Sequence, residues 1–178
     1  MPSVPRLVLP RTGGEPTLRP ATAADDELLT AIYASTRAEE LDLVAWPPGE
    51  RQAFQQAQFL AQRRDWASRF PGATHDVVEL GGQGVGRLVL HVDDARVLVV
   101  DVALLPVVRG RGVGTIVLRG VLADADARAR PVRLHVESTN RARRLYRRLG
   151  FEVVGRGETH LEMERAPDPN YARRRECT

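Results

Sequence analysis

Apolar residues recur along this chain with two different periods, and the changes from one to the other divide it into helices and strands. Leu18-Arg19-Pro20 reads as a short opening strand that its proline stops. Thr22 and Asp25 are spaced as a capping box. Leu28, Leu29, Ile32 and Tyr33 then fall at helical intervals, which predicts a first helix over Ala24–Ala38. Trp46-Pro47-Pro48-Gly49 breaks the chain, and Phe54, Ala57, Leu60 and Ala61 share one face of a second helix over Glu50–Arg69.

After Phe70-Pro71-Gly72 the period shortens to that of strands. His75–Leu80 and Val85–Val92 are β-rich runs joined by Gly81-Gly82-Gln83-Gly84. No helical pattern follows that glycine cluster, so it predicts a hairpin rather than a phosphate loop. Arg96–Leu104 is almost continuously apolar, as suits a central strand buried on both faces. A third helix extends from the next glycine turn to about Ala127, Pro131 ends that segment, and Val132–Glu137 forms another strand. Such a strand-helix-strand unit makes its two strands parallel, with a right-handed crossover. Ser138, Thr139 and Asn140 offer caps for a last helix to Leu149, and two strands follow, Glu152–Gly155 and Glu158–Glu164. Residues 1–16 and 166–178 read as tails around one domain, 17–165, and no internal repeat is visible.

Composition bounds the function. At 178 residues, 43% hydrophobic and 28% charged, the chain has the make-up of one soluble globular domain with a sizeable core. No apolar run approaches the roughly 18 residues of a membrane span, and the N-terminus has no adequate signal-peptide core. A cytoplasmic protein with no membrane partner is expected. The single cysteine, Cys177, allows no internal disulfide, and no metal site is expected. The net charge is +3, and every one of the 26 basic residues is arginine. These arginines are scattered among 23 acidic residues, and few aromatic residues are free to stack bases, so nucleic acid is not the expected partner.

Candidate chemistry gathers at Arg109-Gly110-Arg111-Gly112-Val113-Gly114, between a strand and a helix. Glycines can take positive φ and let a ligand approach the main chain, and a helix start adds free N–H groups. The spacing is neither that of a Walker loop nor that of a dinucleotide fingerprint, whose third glycine would fall at Val117. A plain connection and a phosphate cradle both fit. In the last helix Ala142, Leu145, Tyr146 and Leu149 form an apolar stripe, which turns Tyr146 toward the sheet. Asp101 lies inside an apolar strand, where a carboxylate must be paired or used. Glu137 ends the parallel strand, with His135 on the same face.

The order of a strand, Arg109-x-x-Gly112-x-Gly114, a helix, a strand, Asn140 and then Ala142-x-x-Leu145-Tyr146-x-x-Leu149-Gly150-Phe151 resembles the GNAT superfamily of acetyl-CoA-dependent N-acetyltransferases. Leu18-Arg19-Pro20-Ala21-Thr22 with Asp25 is similar to that family's first strand and turn, so the likeness covers about residues 17–164. It implies an α+β fold: a mixed sheet of about seven strands, splayed at a central parallel pair and flanked by four helices. Acetyl-CoA would lie in the splay, with main-chain groups around Leu104 on the pantetheine arm and thioester carbonyl. The amides of Arg109, Gly110, Arg111, Gly112, Val113 and Gly114 would hold the pyrophosphate, and Asn140 would contact the cofactor near the pantetheine. Tyr146 would be the general acid for the departing thiolate, and Asp101, Glu137 or a water chain would take the amine's proton.

The acceptor implied is a primary amine of a small molecule or a protein, and the family leaves room for a homodimer. Acceptor choice would depend on residues 39–49 and 155–158, where Glu39, Glu40 and Asp42 make either an acidic mouth or a solvated helix end. A non-catalytic acyl-CoA sensor or partner-binding module is the alternative that keeps the fold and the cofactor.

Overall fold

The computed structural model describes residues 14–171, so most of both expected tails, with Arg173–Arg175 and Cys177, lies outside the described residues. Alternation of apolar and polar positions builds seven strands: β1 (Thr17–Pro20), β2 (Thr74–Leu80), β3 (Gln83–Val92), β4 (Val97–Leu104), β5 (Val132–Glu137), β6 (Glu152–Arg156) and β7 (His160–Arg165). They form one mixed sheet in the order β1-β2-β3-β4-β5-β7-β6. Every neighbouring pair is antiparallel except β4 with β5, the parallel pair that the intervening helix requires.

Among the described residues five α-helices flank the sheet: α1 (Asp26–Thr36), α2 (Ala38–Leu41), α3 (Glu50–Arg69), α4 (Val113–Ala127) and α5 (Arg143–Arg148). Right-handed crossovers from β4 to β5 and from β5 to β6 carry α4 and α5 to one face. There Val117, Leu118 and Val121 of α4, each no more than 2% exposed, pack with Leu134 and Met163 of the sheet. Burying each such side chain contributes about 1.5–3 kcal/mol. On the other face Ile32 and Tyr33 of α1 and Phe59 of α3 pack on Val77 and Ala103.

Several boundaries differ from expectation for local reasons. The first helix stops at Thr36 instead of Ala38, because the Ser35 and Thr36 hydroxyls donate to the carbonyls of Ile32 and Tyr33. Its continuation is the separate short α2, which makes five helices rather than four. At its start, the Asp25 carboxylate accepts from the Thr22 N–H at 2.8 Å and from Arg19 at 2.6 Å and 2.8 Å. These bonds hold its pKa well below the usual carboxylate range. The last helix begins only at Arg143, since Asn140 first folds into a turn in which its Oδ1 accepts from the Ala142 N–H. β7 starts at His160 rather than Glu158, because the Gly157 N–H donates back to the His160 carbonyl.

Candidate active site

The parallel pair is hydrogen-bonded only from Val97–Val132 to Val99–Leu134. Beyond Val99 the strands part: Asp101 to Leu104 stays with β3, and His135 to Glu137 stays with β7. A wedge-shaped seam opens toward the C-terminal ends of both. The β4 side carries a bulge at this point, for Val89 faces Asp101 while Leu90 faces Val99, leaving Val100 without a partner.

From Leu104 the backbone passes through a short 3-10 turn, Pro106–Val108, into the glycine turn. Gly110 and Gly112 have φ of 74° and 85°, values open to glycine and strained for other residues. A Cβ added at either would meet nothing within 4 Å, so the turn faces open space. Gly112 is the N-cap of α4 and no side chain caps the helix, which leaves its first-turn N–H groups without side-chain acceptors. Arg109 acts as a brace: its Nε donates to the Leu104 carbonyl at 2.8 Å and its Nη2 to the Ser35 hydroxyl at 3.0 Å. Its amide is bonded to the Pro106 carbonyl, whereas Arg111 is exposed. Val113 is buried, and a Cβ at Gly114 would lie 3.5 Å from Leu104 and 3.7 Å from Leu145. That contact brings α5 against the start of α4.

Tyr146, next to Leu145, is 7% exposed, with its ring edge-on to Phe151 at 5.8 Å. Burial, and then the negative charge of Asp101, push its pKa up to about 12. The phenol is therefore neutral at pH 7. Asp101 acts on it by charge from the far strand of the seam. The expectation that this carboxylate is paired or used resolves first as a pair: Arg87 of β3 donates its Nε to Asp101 Oδ2 at 2.7 Å. Glu137 is half-exposed, with Arg37 at 4.0 Å. Of the three acids of the linker, Glu40 pairs with Arg37 and Asp42 with Arg51, so much of that charge is neutralised locally.

Leu104, the glycine turn, Asn140 and Tyr146 thus border one seam, Asp101 joins them by its charge, and Glu137 stands at the seam's outer end. Sequence reasoning missed Arg87 and the bracing role of Arg109. An arginine within the apolar run Val85–Val92 was the available signal, and it needed the β3–β4 register to find its partner.

The model of the acetyltransferase (GNAT) family matches residues 35–151. No curated protein matches the chain. Among solved structures, the PaiA N-acetyltransferase of Thermoplasma acidophilum, in complex with coenzyme A, is 13% identical and superposes with a TM-score of 0.64 over 85% of this chain and 99% of its own. A histone acetyltransferase HPA2 and related acetyltransferase from Corynebacterium glutamicum is 25% identical, with a TM-score of 0.62 over 86% and 97%. RimL, a ribosomal L7/L12 alpha-N-protein acetyltransferase, is 16% identical, with a TM-score of 0.64 over 92% and 98%.

Proposed function

The chain belongs to the acetyltransferase (GNAT) family, and from that premise we propose that it carries an acetyl group from acetyl-CoA to a primary amine, of a small molecule or a protein, by direct attack in a ternary complex. Residues 17–165 form the domain that does this. The observation that carries the reading is the seam itself, where a parallel pair parts after three residues, with an uncapped glycine turn on one side and a buried tyrosine on the other.

The turn suits a phosphorylated ligand such as the coenzyme A of the PaiA structure. Positive φ at Gly110 and Gly112, open space beside both and uncapped N–H groups through Gly114 together make a cradle for the pyrophosphate. Arg111 adds charge, and the Asn140 amide nitrogen remains for the cofactor because its oxygen is used in the turn. Acetyl-CoA supplies the acyl group already activated as a thioester.

The chain's own residues manage protons. A phenol that is neutral at pH 7 can give its proton to a departing thiolate, and burial keeps Tyr146 in that form. An alkylammonium is neutral less than about 0.1% of the time at pH 7, so its proton needs an acceptor. Asp101, whose Oδ1 is not used by Arg87, and Glu137 are the carboxylates bordering the seam, and a water chain would serve the same step.

Release of free CoA thiol in the presence of a panel of amines tests the reading. Tyr146→Phe should lower turnover by about 10²-fold, the size expected for a lost general acid, with acetyl-CoA affinity nearly unchanged. Equal rates would remove Tyr146 from the chemistry. Binding of acetyl-CoA without thiol release for any amine would replace transfer by acyl-CoA sensing.

A further inference from the structure

α3 is 20 residues long and buries only Phe59 and Trp66. Arg51, Gln55 and Gln62 are partly covered on the same side, so the helix lies on the sheet by the line Arg51, Gln55, Phe59, Gln62 and Trp66. The apolar stripe that marks the helix in the sequence is a different one. Phe54, Ala57, Leu60 and Ala61 all face solvent, with Phe54 42% and Leu60 39% exposed. With Ala53 they leave an apolar strip about three turns long on the side of α3 away from the sheet, and so away from the seam.

This face is self-complementary about Ala57. Counting outward in both directions, Gln56 matches Gln58, Phe54 matches Leu60, Ala53 matches Ala61, and Glu50 meets its opposite charge in Arg64. Two copies of α3 packed antiparallel, with Ala57 at the twofold axis, bring the members of each such pair to one level. Glu50 of either copy then lies level with Arg64 of the other. Both residues are exposed, and no ion pair among the described residues uses either of them. Ala53, Ala57 and Ala61 let the helix axes approach to about 8 Å, and the antiparallel setting puts the positive end of each helix dipole beside the negative end of the other.

We propose that the outward face of α3, from Glu50 to Arg64, is the interface of a weak antiparallel homodimer. A second copy is the occupant because the face asks for a partner with an arginine level with Glu50, a carboxylate level with Arg64 and small apolar residues between, and its own sequence supplies all three. Those residues span about 21 Å of helix, less than a standard interface needs, so the association is reversible. Phe54 also lies 5.0 Å from the Trp46 ring, and Arg51 donates to Asp42 at 2.7 Å, so pairing through α3 bears on the linker that precedes it. The proposal uses no part of the seam and stands apart from acetyl transfer.

Sedimentation equilibrium of the full chain tests it. The expected result is a reversible monomer–dimer equilibrium with Kd on the order of 10 µM. Glu50→Arg and Arg64→Glu each set like charges level with one another and should each weaken the dimer by about tenfold or more. The chain carrying both substitutions restores opposite charges and should return to within about threefold of the parent. Ala57→Glu puts two carboxylates at the axis and should leave monomer throughout, with thermal unfolding unchanged because the position is exposed. A parent chain that stays monomeric at concentrations up to about 200 µM would overturn the interface. Failure of the double variant to recover would overturn the antiparallel register, and a dimer undiminished by Ala57→Glu would overturn the location.

Discussion

Two glycine turns in this molecule share positive φ at two glycines and have opposite consequences. Gly81 and Gly82, between β2 and β3, have φ of 58° and 79°, and Gly110 and Gly112, before α4, have 74° and 85°. A Cβ would meet nothing within 4 Å at any of the four. The first turn returns the chain straight into a ladder, where Gln83 pairs with Leu80. The second releases it into a helix that no side chain caps, beside strands that have just parted. Positive φ and open space therefore do not mark a site by themselves. What marks it is whether the next N–H groups are claimed by a neighbouring strand.

Matched substitutions sharpen that contrast, because valine meets nearly the same backbone strain at Gly112 and Gly82. Gly112→Val should weaken acetyl-CoA binding by about 10²-fold in calorimetry, since the branched side chain both strains the turn and fills the approach to its amides. Unchanged affinity would make the second turn a plain connection like the first. Gly82→Val should cost about 1–3 kcal/mol of stability in thermal unfolding and leave acetyl-CoA affinity within about twofold. A comparable loss of affinity there would show that strain, not position, governs binding.

The smallest effect expected is the absence of an alkaline fall in turnover. Tyr146 has its pKa raised by burial and by Asp101 to about 12, so it keeps its proton well above neutrality. Turnover should keep rising to about pH 10 as the amine deprotonates, with no alkaline fall due to the donor. The linked stability has the matching sign: it is fully present below the ordinary tyrosine pKa of about 10 and is lost as pH rises toward 12. A fall in turnover below about pH 10 that disappears in Tyr146→Phe would contradict a donor held neutral by burial.

Much of the architecture was legible because the strands advertise themselves. The hairpin at Gly81–Gly82, the apolar β4 and the parallel partner β5 follow from alternation, from turn chemistry and from the length of the crossover. The ends of α1 and α5 were not, because Ser35, Thr36 and Asn140 decide them through side-chain bonds to nearby backbone rather than through apolar spacing. Among candidate site residues, the glycine turn and Tyr146 stood out as local patterns. The Arg87–Asp101 pair and the reach of Arg109 to Ser35 did not, since each joins residues from separate elements and only the register and the packing of α1 bring them together.

The bulge at Val100 acts as a change of phase in β4. Before it, Val97 and Val99 face α4, and after it Val102 and Leu104 do, while Asp101 and Ala103 turn toward α1 and α3. Were Val100 paired in an unbroken alternation instead, Asp101 would share a face with Val97 and Val99 and lie against the apolar side of α4, where a lone charge is hard to solvate. One unpaired residue thus decides on which face of the sheet the enzyme is polar.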